Sequence, residues 1–213
     1  MQLPFDRIYY ISLTSTIGRR NALIQYLAET DLKDRFGKKP QWIVGNNGSF
    51  FSHQINESGR KTKISKSEIG CYASHLATWK TLLESEFQNC LILEDDARFR
   101  ESAKYIFENW VNMPEWDFVT FSLNSYSGLK IVRQLENKEL NLWSGHGFWL
   151  THAYAINRNC AEILVKEMAV QRGGLDWQLS QVQTKFKTFA FDGSPIFQKR
   201  IGPAGSTIKH TRI

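Results

Sequence analysis

Short apolar runs alternate with helically spaced stripes along the 213 residues. Ile8-Tyr9-Tyr10-Ile11-Ser12-Leu13 is rich in β formers and predicts a strand. Residues 14–18 break it, and Arg19 to Thr30 carries Ala22, Leu23, Tyr26 and Leu27 on one helical stripe. Trp42-Ile43-Val44 predicts a second strand. A long polar stretch, 45–65, follows, with Phe50-Phe51 and the basic run Arg60, Lys61, Lys63, Lys66. Loops of that length within a domain are usually functional or mobile, but composition assigns this one no role. Ser65 and Glu68 have capping-box spacing. They open a predicted helix that carries Ile69, Tyr72, Ala73, Leu76, Trp79, Leu82 and Leu83 and ends near Glu86. Cys90-Leu91-Ile92-Leu93 predicts a buried strand, and a helix is expected from about Ser102 to Trp110. Residues 118–123 form another strand, while 124–140 are polar and resist assignment. Phe148 to Thr151 and Ala153 to Ile156 predict one bent strand. Asn157 can cap a helix running through Val170. Gly173-Gly174 turns into a short helix with Asp176 near its start, and Thr188 to Phe191 is expected to be the last strand. Strands alternating with helices argue a layered α/β sheet.

The central apolar run passes directly into Glu94-Asp95-Asp96. Strand alternation would send Glu94 and Asp96 to one side and Asp95 to the other. Carboxylates at the carboxyl end of a central strand stand where open α/β sheets bind ligands. A hard cation such as Mg²⁺ or Mn²⁺ takes such oxygens and completes its shell with water and phosphate. A solvated acidic loop has the same spacing, so spacing alone leaves both open. The first βα unit brings Ser12, Arg19 and Arg20 beside the same crevice. The arginines could fork onto phosphate there, or be solvated residues of a first turn. Ser74, His75 and Lys80 fall beside the apolar stripe of the capped helix, where a histidine is more often structural than a ligand.

Composition narrows the partners. The formal charge is +6 and the pI about 9.2, which favours nucleic acid, an acidic membrane surface or phosphorylated small molecules. Aromatic residues make up 13% of the chain, enough to fill a core and to line a site for a flat or sugar-like ligand, so disorder is excluded. Cys71, Cys90 and Cys160 are too scattered for a disulfide framework or a Cys₄ zinc site. Each lies in apolar context, so buried thiols and a reducing compartment are expected. Met1 to Asp6 carries no signal-peptide pattern, and no apolar run approaches the ~20 residues of a spanning helix. A cytoplasmic or peripheral membrane protein is the expectation. After Asp192 the tail has Lys199, Arg200, Lys209 and Arg212 and no acid. It is either a basic cover over an anionic site or a frayed terminus.

Four segments together resemble glycosyltransferase family 25. They are Tyr10-Ile11-Ser12-Leu13, Arg19-Arg20, the block from Ser67-Glu68-Ile69-Gly70-Cys71 to Ser74-His75, and Leu91 to Asp96. These are the bacterial lipooligosaccharide galactosyl- and glucosyltransferases, related to the collagen galactosyltransferases. Thr151 to Ile156, Leu175-Asp176-Trp177, Pro195 and Ser206-Thr207-Ile208 also fit. The resemblance implies a GT-A-like, Rossmann-type mixed sheet flanked by helices, in one domain over 1–213. About 1–100 would bind the nucleotide sugar and about 101–213 the acceptor. It implies a UDP-hexose donor, a glycan or glycolipid acceptor, a Mn²⁺ or Mg²⁺ ion and no nucleic acid. Glu94-Asp95-Asp96 looks like the Asp-x-Asp metal motif, with Asp96 first choice for coordination, Glu94 beside it and His210 as a third ligand from the tail. The implied donor-binding set is Ser12, Leu13, Arg19, Arg20, Glu68, Ser74, His75, Lys80, Glu94 and Asp95. Asp176 is the implied base for an inverting transfer, although an aspartate there can also cap its helix.

Two other classes remain open on residues alone. A metal-dependent phosphotransferase or phosphatase also places acids after a buried strand, but usually attacks with an aspartate at the first acidic position, where this chain has Glu94. A basic nucleotide- or RNA-binding domain would explain the charge but not the clustered carboxylates, which repel phosphate unless a metal intervenes.

Overall fold

The computed structural model describes residues 1–50, 64–124, 127–135 and 140–199. In chain order the elements are β1 (Arg7–Ser12), α1 (Ile17–Glu29), β2 (Gln41–Val44), α2 (Lys66–Leu83), β3 (Asn89–Glu94), β4 (Ala97–Phe99) and α3 (Glu101–Glu108). There follow β5 (Phe118–Thr120), β6 (Ser127–Gln134), β7 (Asn141–His146), β8 (Ala153–Asn157), α4 (Arg158–Glu167), α5 (Leu175–Val182), β9 (Thr188–Phe191) and β10 (Ile196–Gln198). Eight strands form one mixed sheet in the order β2-β1-β3-β8-β5-β9-β7-β6. β1 runs parallel to both β2 and β3, and β8 lies antiparallel between β3 and β5. This is the mixed sheet flanked by helices that the sequence implied, and it runs without a break through both halves of the chain.

The alternation of β3 divides the core. Leu91 and Leu93 face a layer holding Leu23 and Leu27 of α1 and Ala103, Ile106 and Phe107 of α3. Cys90 and Ile92 face the opposite layer, with Tyr72, Trp79 and Leu82 of α2, Leu164 of α4 and Leu179 of α5. All four β3 side chains are 0% exposed. Each aliphatic one contributes about 1.5–3 kcal/mol by burial. α1 and α2 therefore cover opposite faces, and β2 and β3 flank β1 on opposite sides. The gap between β1 and β3 is the topological switch point of a doubly wound sheet.

α2 starts as predicted. Glu68 N donates to Ser65 Oγ at 3.2 Å, and Ser65 N donates to Glu68 Oε2 at 2.7 Å. Asn157 likewise caps α4 by accepting from Cys160 N at 2.8 Å. Four expectations are corrected. Residues 124–140 contain β6 and part of a β6–β7 pairing rather than only unassigned loop. Phe148 to Leu150 is not strand. The side chain of Gln183 accepts from Phe148 N at 2.7 Å and donates to Phe148 O at 3.0 Å, as a neighbouring strand would, and Leu150 then turns at φ 75. β5 ends at Thr120, short of the predicted 123. β9 is not the last strand, because β10 pairs with β4 in a separate two-stranded sheet. Residues Arg60, Lys61 and Lys63 of the polar stretch, and the tail from Arg200 onward, lie outside the described residues.

Candidate functional site

The carboxyl ends of β1 and β3 open on a cavity of about 360 Å³. Its floor is Ser12, Glu94, Asp95 and Asp96. Thr16, the residue before α1, and Arg19 of its first turn form one side, and Cys71, Ser74 and His75 of α2 another. The loop after β2, residues 45–49, closes the remaining wall. Asn46 N donates to Ser74 Oγ at 2.8 Å, and Gly45 N donates to Ser12 O at 2.9 Å. This wall packs backbone on backbone. A Cβ at Gly48 would fall 1.8 Å from Lys66 O, and one at Gly70 would fall 2.5 Å from Asn46 O.

The three acids do not alternate as a strand would place them. β3 stops at Glu94, and Asp95 and Asp96 lie in the turn that follows, so all three carboxylates line one cavity. Arg19 pairs with Asp95 Oδ1 and, at 3.0 Å, with Asp96 Oδ2. Asp95 Oδ2 also accepts from Ser12 Oγ at 3.0 Å and Thr16 Oγ1 at 3.1 Å. Gln198 Nε2, brought in by β10, donates to Asp96 Oδ2 at 3.0 Å. Asp96 Oδ1 is buried and has no hydrogen-bond partner among the described residues. Burial, and then the neighbouring Glu94, push the Asp96 carboxyl up to about 6, against the pull of Arg19 and Gln198. Burial likewise raises Asp95 against the opposing charge of Arg19. Burial alone would raise Glu94 too, but contacts with His75, His152 and Thr151 outweigh it and hold its carboxyl below the ordinary value. Three carboxylates line the cavity beside two cations, Arg19 and Lys66, and oxygens of the acids, Ser12 and Thr16 converge there, with Cys71 and His75 as the softer donors. The oxygens are the chemistry a hard divalent cation fits.

Of the remaining predicted residues, Leu13 lines the cavity, and its carbonyl accepts from Thr16 N and from Arg20 Nη1. Arg20 does not line the cavity. It lies 4.2 Å from the centroid of the Trp42 ring and ties β1 to α1. Arg19 is likewise engaged, on the two aspartates. Glu68 is consumed by the capping box, and Lys80 is exposed in the last turn of α2; neither lines the cavity. Asp176 sits in the first turn of α5, behind Cys71, whose thiol is raised by burial, by Glu94 and by Asp176. His210 lies outside the described residues. Cys90 and Cys160 are buried as expected, but Cys71 is only partly so and faces the cavity. Thr16, Thr151, Gln198 and the Asn46-Asn47 wall were not anticipated. Thr16 had a local signal, a hydroxyl just before a helix, whereas Gln198 is brought there by a pairing distant in sequence.

Comparison with known proteins bears on this geometry. The family model described as Glycosyltransferase family 25 (LPS biosynthesis protein) matches residues 5–176. Procollagen galactosyltransferase 2 of Mus musculus is 25% identical over 109 residues, covering 48% of this chain and 17% of that protein. The Homo sapiens protein named inactive glycosyltransferase 25 family member 3 is 24% identical over 184 residues, covering 80% of this chain and 30% of its own length. The chain thus spans less than a third of either relative. A crystal structure of A197 from STIV covers 97% of this chain and 99% of its own, with a TM-score of 0.45 and 13% identity. The family match takes in β1, the capped helix α2, the acidic turn after β3 and the start of α5, and the chain belongs to glycosyltransferase family 25.

Proposed function

We propose that this chain transfers a hexose, galactose or glucose, from a UDP-sugar to a lipooligosaccharide or lipopolysaccharide glycan, with inversion at the anomeric carbon. The observation that carries the reading is the convergence of Glu94, Asp95 and Asp96 on one cavity at the β1/β3 switch point, with Asp96 Oδ1 buried and without a hydrogen-bond partner among the described residues. The acceptor class is supported by the family description, which names lipopolysaccharide biosynthesis.

The donor set suits Mn²⁺ or Mg²⁺, and Asp96 and Glu94 are the residues that would hold it. When bound, such an ion neutralises the charge that develops on the leaving diphosphate. Ser12 and Thr16 fix Asp95 by hydrogen bonds, and Arg19 keeps Asp95 and Asp96 side by side. Asn46, Asn47 and Ser49 offer amide and hydroxyl groups to the nucleoside along the opposite wall. Asp176 is the proposed base, taking the proton of the acceptor hydroxyl as it attacks. A donor panel of UDP- and GDP-sugars, scored for metal-dependent hydrolysis and thermal shift, tests the reading. A UDP-hexose should be selected, and a chain that neither binds nor turns over any UDP-sugar would refute it.

A further inference from the structure

Behind the acidic cavity runs a line of buried side chains that glycosyl transfer, as described, leaves unused. Trp79 Nε1 donates to the Tyr154 hydroxyl oxygen at 2.8 Å, and His75 Nδ1 stands 2.8 Å from that same oxygen. Trp79 and Tyr154 are 0% exposed and His75 is 1% exposed. His75 Nε2 lies 3.4 Å from Glu94 Oε1, which also accepts from Thr151 Oγ1 at 3.0 Å. The rings hold one another in place: His75 stacks on Tyr154 with centroids 5.7 Å apart, and Phe118 stacks on Tyr154 at 5.3 Å.

The direction of this line follows from what each group can donate. An indole N–H only donates, so the tyrosine oxygen is the acceptor there. The phenol keeps its own proton and must place it on an acceptor. Among the described hydrogen bonds of Tyr154 the one available acceptor is His75 Nδ1. A neutral imidazole that accepts at Nδ1 carries its proton at Nε2, the nitrogen nearest Glu94. In the reverse direction His75 Nδ1 would donate to Tyr154, leaving the phenol proton buried without an acceptor and turning an unprotonated Nε2 toward the Glu94 carboxylate.

We propose that Trp79, Tyr154 and His75 form a one-way hydrogen-bond relay that fixes His75 as its Nε2–H tautomer and makes it the positioning residue of Glu94. Its bearing on catalysis rests on the transfer reading above; the tautomer itself does not. At 3.4 Å the Nε2–Glu94 contact is longer than a formed hydrogen bond, and contacts of this kind often tighten only when substrate binds. The relay also decides between two uses of one nitrogen. Donor atoms of Cys71, His75 and Glu94 lie within 4.8 Å of one another, a set that zinc could take. Zinc ligation needs an unprotonated Nε2, and the relay puts a proton there.

The test is nitrogen NMR of the full chain labelled with ¹⁵N-histidine, with His75 assigned by its loss in His75→Gln, alongside metal analysis of the purified protein. The wild type should show a neutral ring protonated at Nε2, and Tyr154→Phe should release it to a mixture of tautomers. Trp79→Phe removes only the indole donor, leaves the phenol proton directed at Nδ1 and should keep the Nε2–H tautomer; if Tyr154→Phe does not fold, the wild-type ring decides the test. A wild-type ring protonated at Nδ1, doubly protonated or bound to stoichiometric zinc would overturn the proposal, as would an unchanged tautomer in a folded Tyr154→Phe. In turnover, His75→Gln keeps an N–H within reach of Glu94 and should stay within about tenfold of wild-type kcat. His75→Asn and Tyr154→Phe should lose about 10–100-fold in kcat with little change in KM. Equal losses in the Gln and Asn variants would refute positioning by Nε2–H. Absence of turnover in the wild type would instead remove the transfer reading and leave the tautomer result standing.

Discussion

Asp96 is the residue on which the site turns. It has a buried oxygen without a hydrogen-bond partner among the described residues and a carboxyl pushed up to about 6 by burial and by Glu94. Because its folded value is raised, the folded chain binds a proton more tightly than the unfolded one. Without a cation, stability from this group is greatest at low pH and is lost as pH rises from about 4 to about 6. Asp96→Asn should remove that slope and raise metal-free stability at pH 7 by about 1–2 kcal/mol, measured by urea denaturation across pH. A variant less stable than wild type at pH 7 would show that the carboxylate is satisfied by Arg19 and Gln198 alone. Asp176 makes a kinetic prediction. If it accepts the proton of the attacking hydroxyl, Asp176→Asn should lower kcat by about 10²–10⁴-fold with KM for the donor little changed. Loss of α5 helicity with intact kcat would mark it as a first-turn acid that stabilises the helix end. His75 is the residue that the chain disguises best, since a histidine at helical spacing among apolar residues looks structural. It is structural, through Tyr154, and it lines the cavity as well.

At the scale of elements, what could be read from the chain follows how far each element depends on its own residues. The capping box of α2, the apolar run of β3 and the Asn157 cap of α4 are local chemistry, and all three form where their residues stand. β6 was hidden because it sits at the edge of the sheet with Leu129, Ile131 and Val132 each more than a third exposed, so no buried face imposes alternation. β4 and β10 are three residues each and exist only by pairing across about a hundred positions, which no short window can show. That pairing brings Gln198 to Asp96, so part of the acidic site was illegible for the same reason. The glycine contacts between the β2 loop and α2 give an element-scale prediction. Gly70→Ala and Gly48→Ala each force a Cβ into a backbone carbonyl, and each should cost about 1–3 kcal/mol. Both should also weaken UDP binding more than Ser65→Ala, which removes a cap worth about 1 kcal/mol while leaving the wall in contact. Equal losses of affinity in all three would mean that the loop plays no part in the nucleotide site.

At the scale of the molecule, the acid-lined cavity is set in a chain of formal charge +6. Among the described residues no helix is long and apolar enough to cross a membrane. Were the acceptor a glycolipid, as proposed, a basic chain would favour peripheral binding to an anionic membrane surface, at about 1 kcal/mol for each basic residue at the surface and screened by salt. Co-sedimentation with anionic liposomes at low salt and release at high salt is the expected result, and no association at low salt would count against it. Within the proposed function the central claim is narrower: the carboxylates at the β1/β3 switch point would bind a nucleoside diphosphate through a divalent cation. Calorimetric titration of UDP into the full chain, with and without Mn²⁺, for wild type and Asp96→Asn, tests it most directly. The account predicts binding in wild type only when Mn²⁺ is present and none in a folded Asp96→Asn. UDP binding that is indifferent to Mn²⁺, or that survives unchanged in Asp96→Asn, would contradict it.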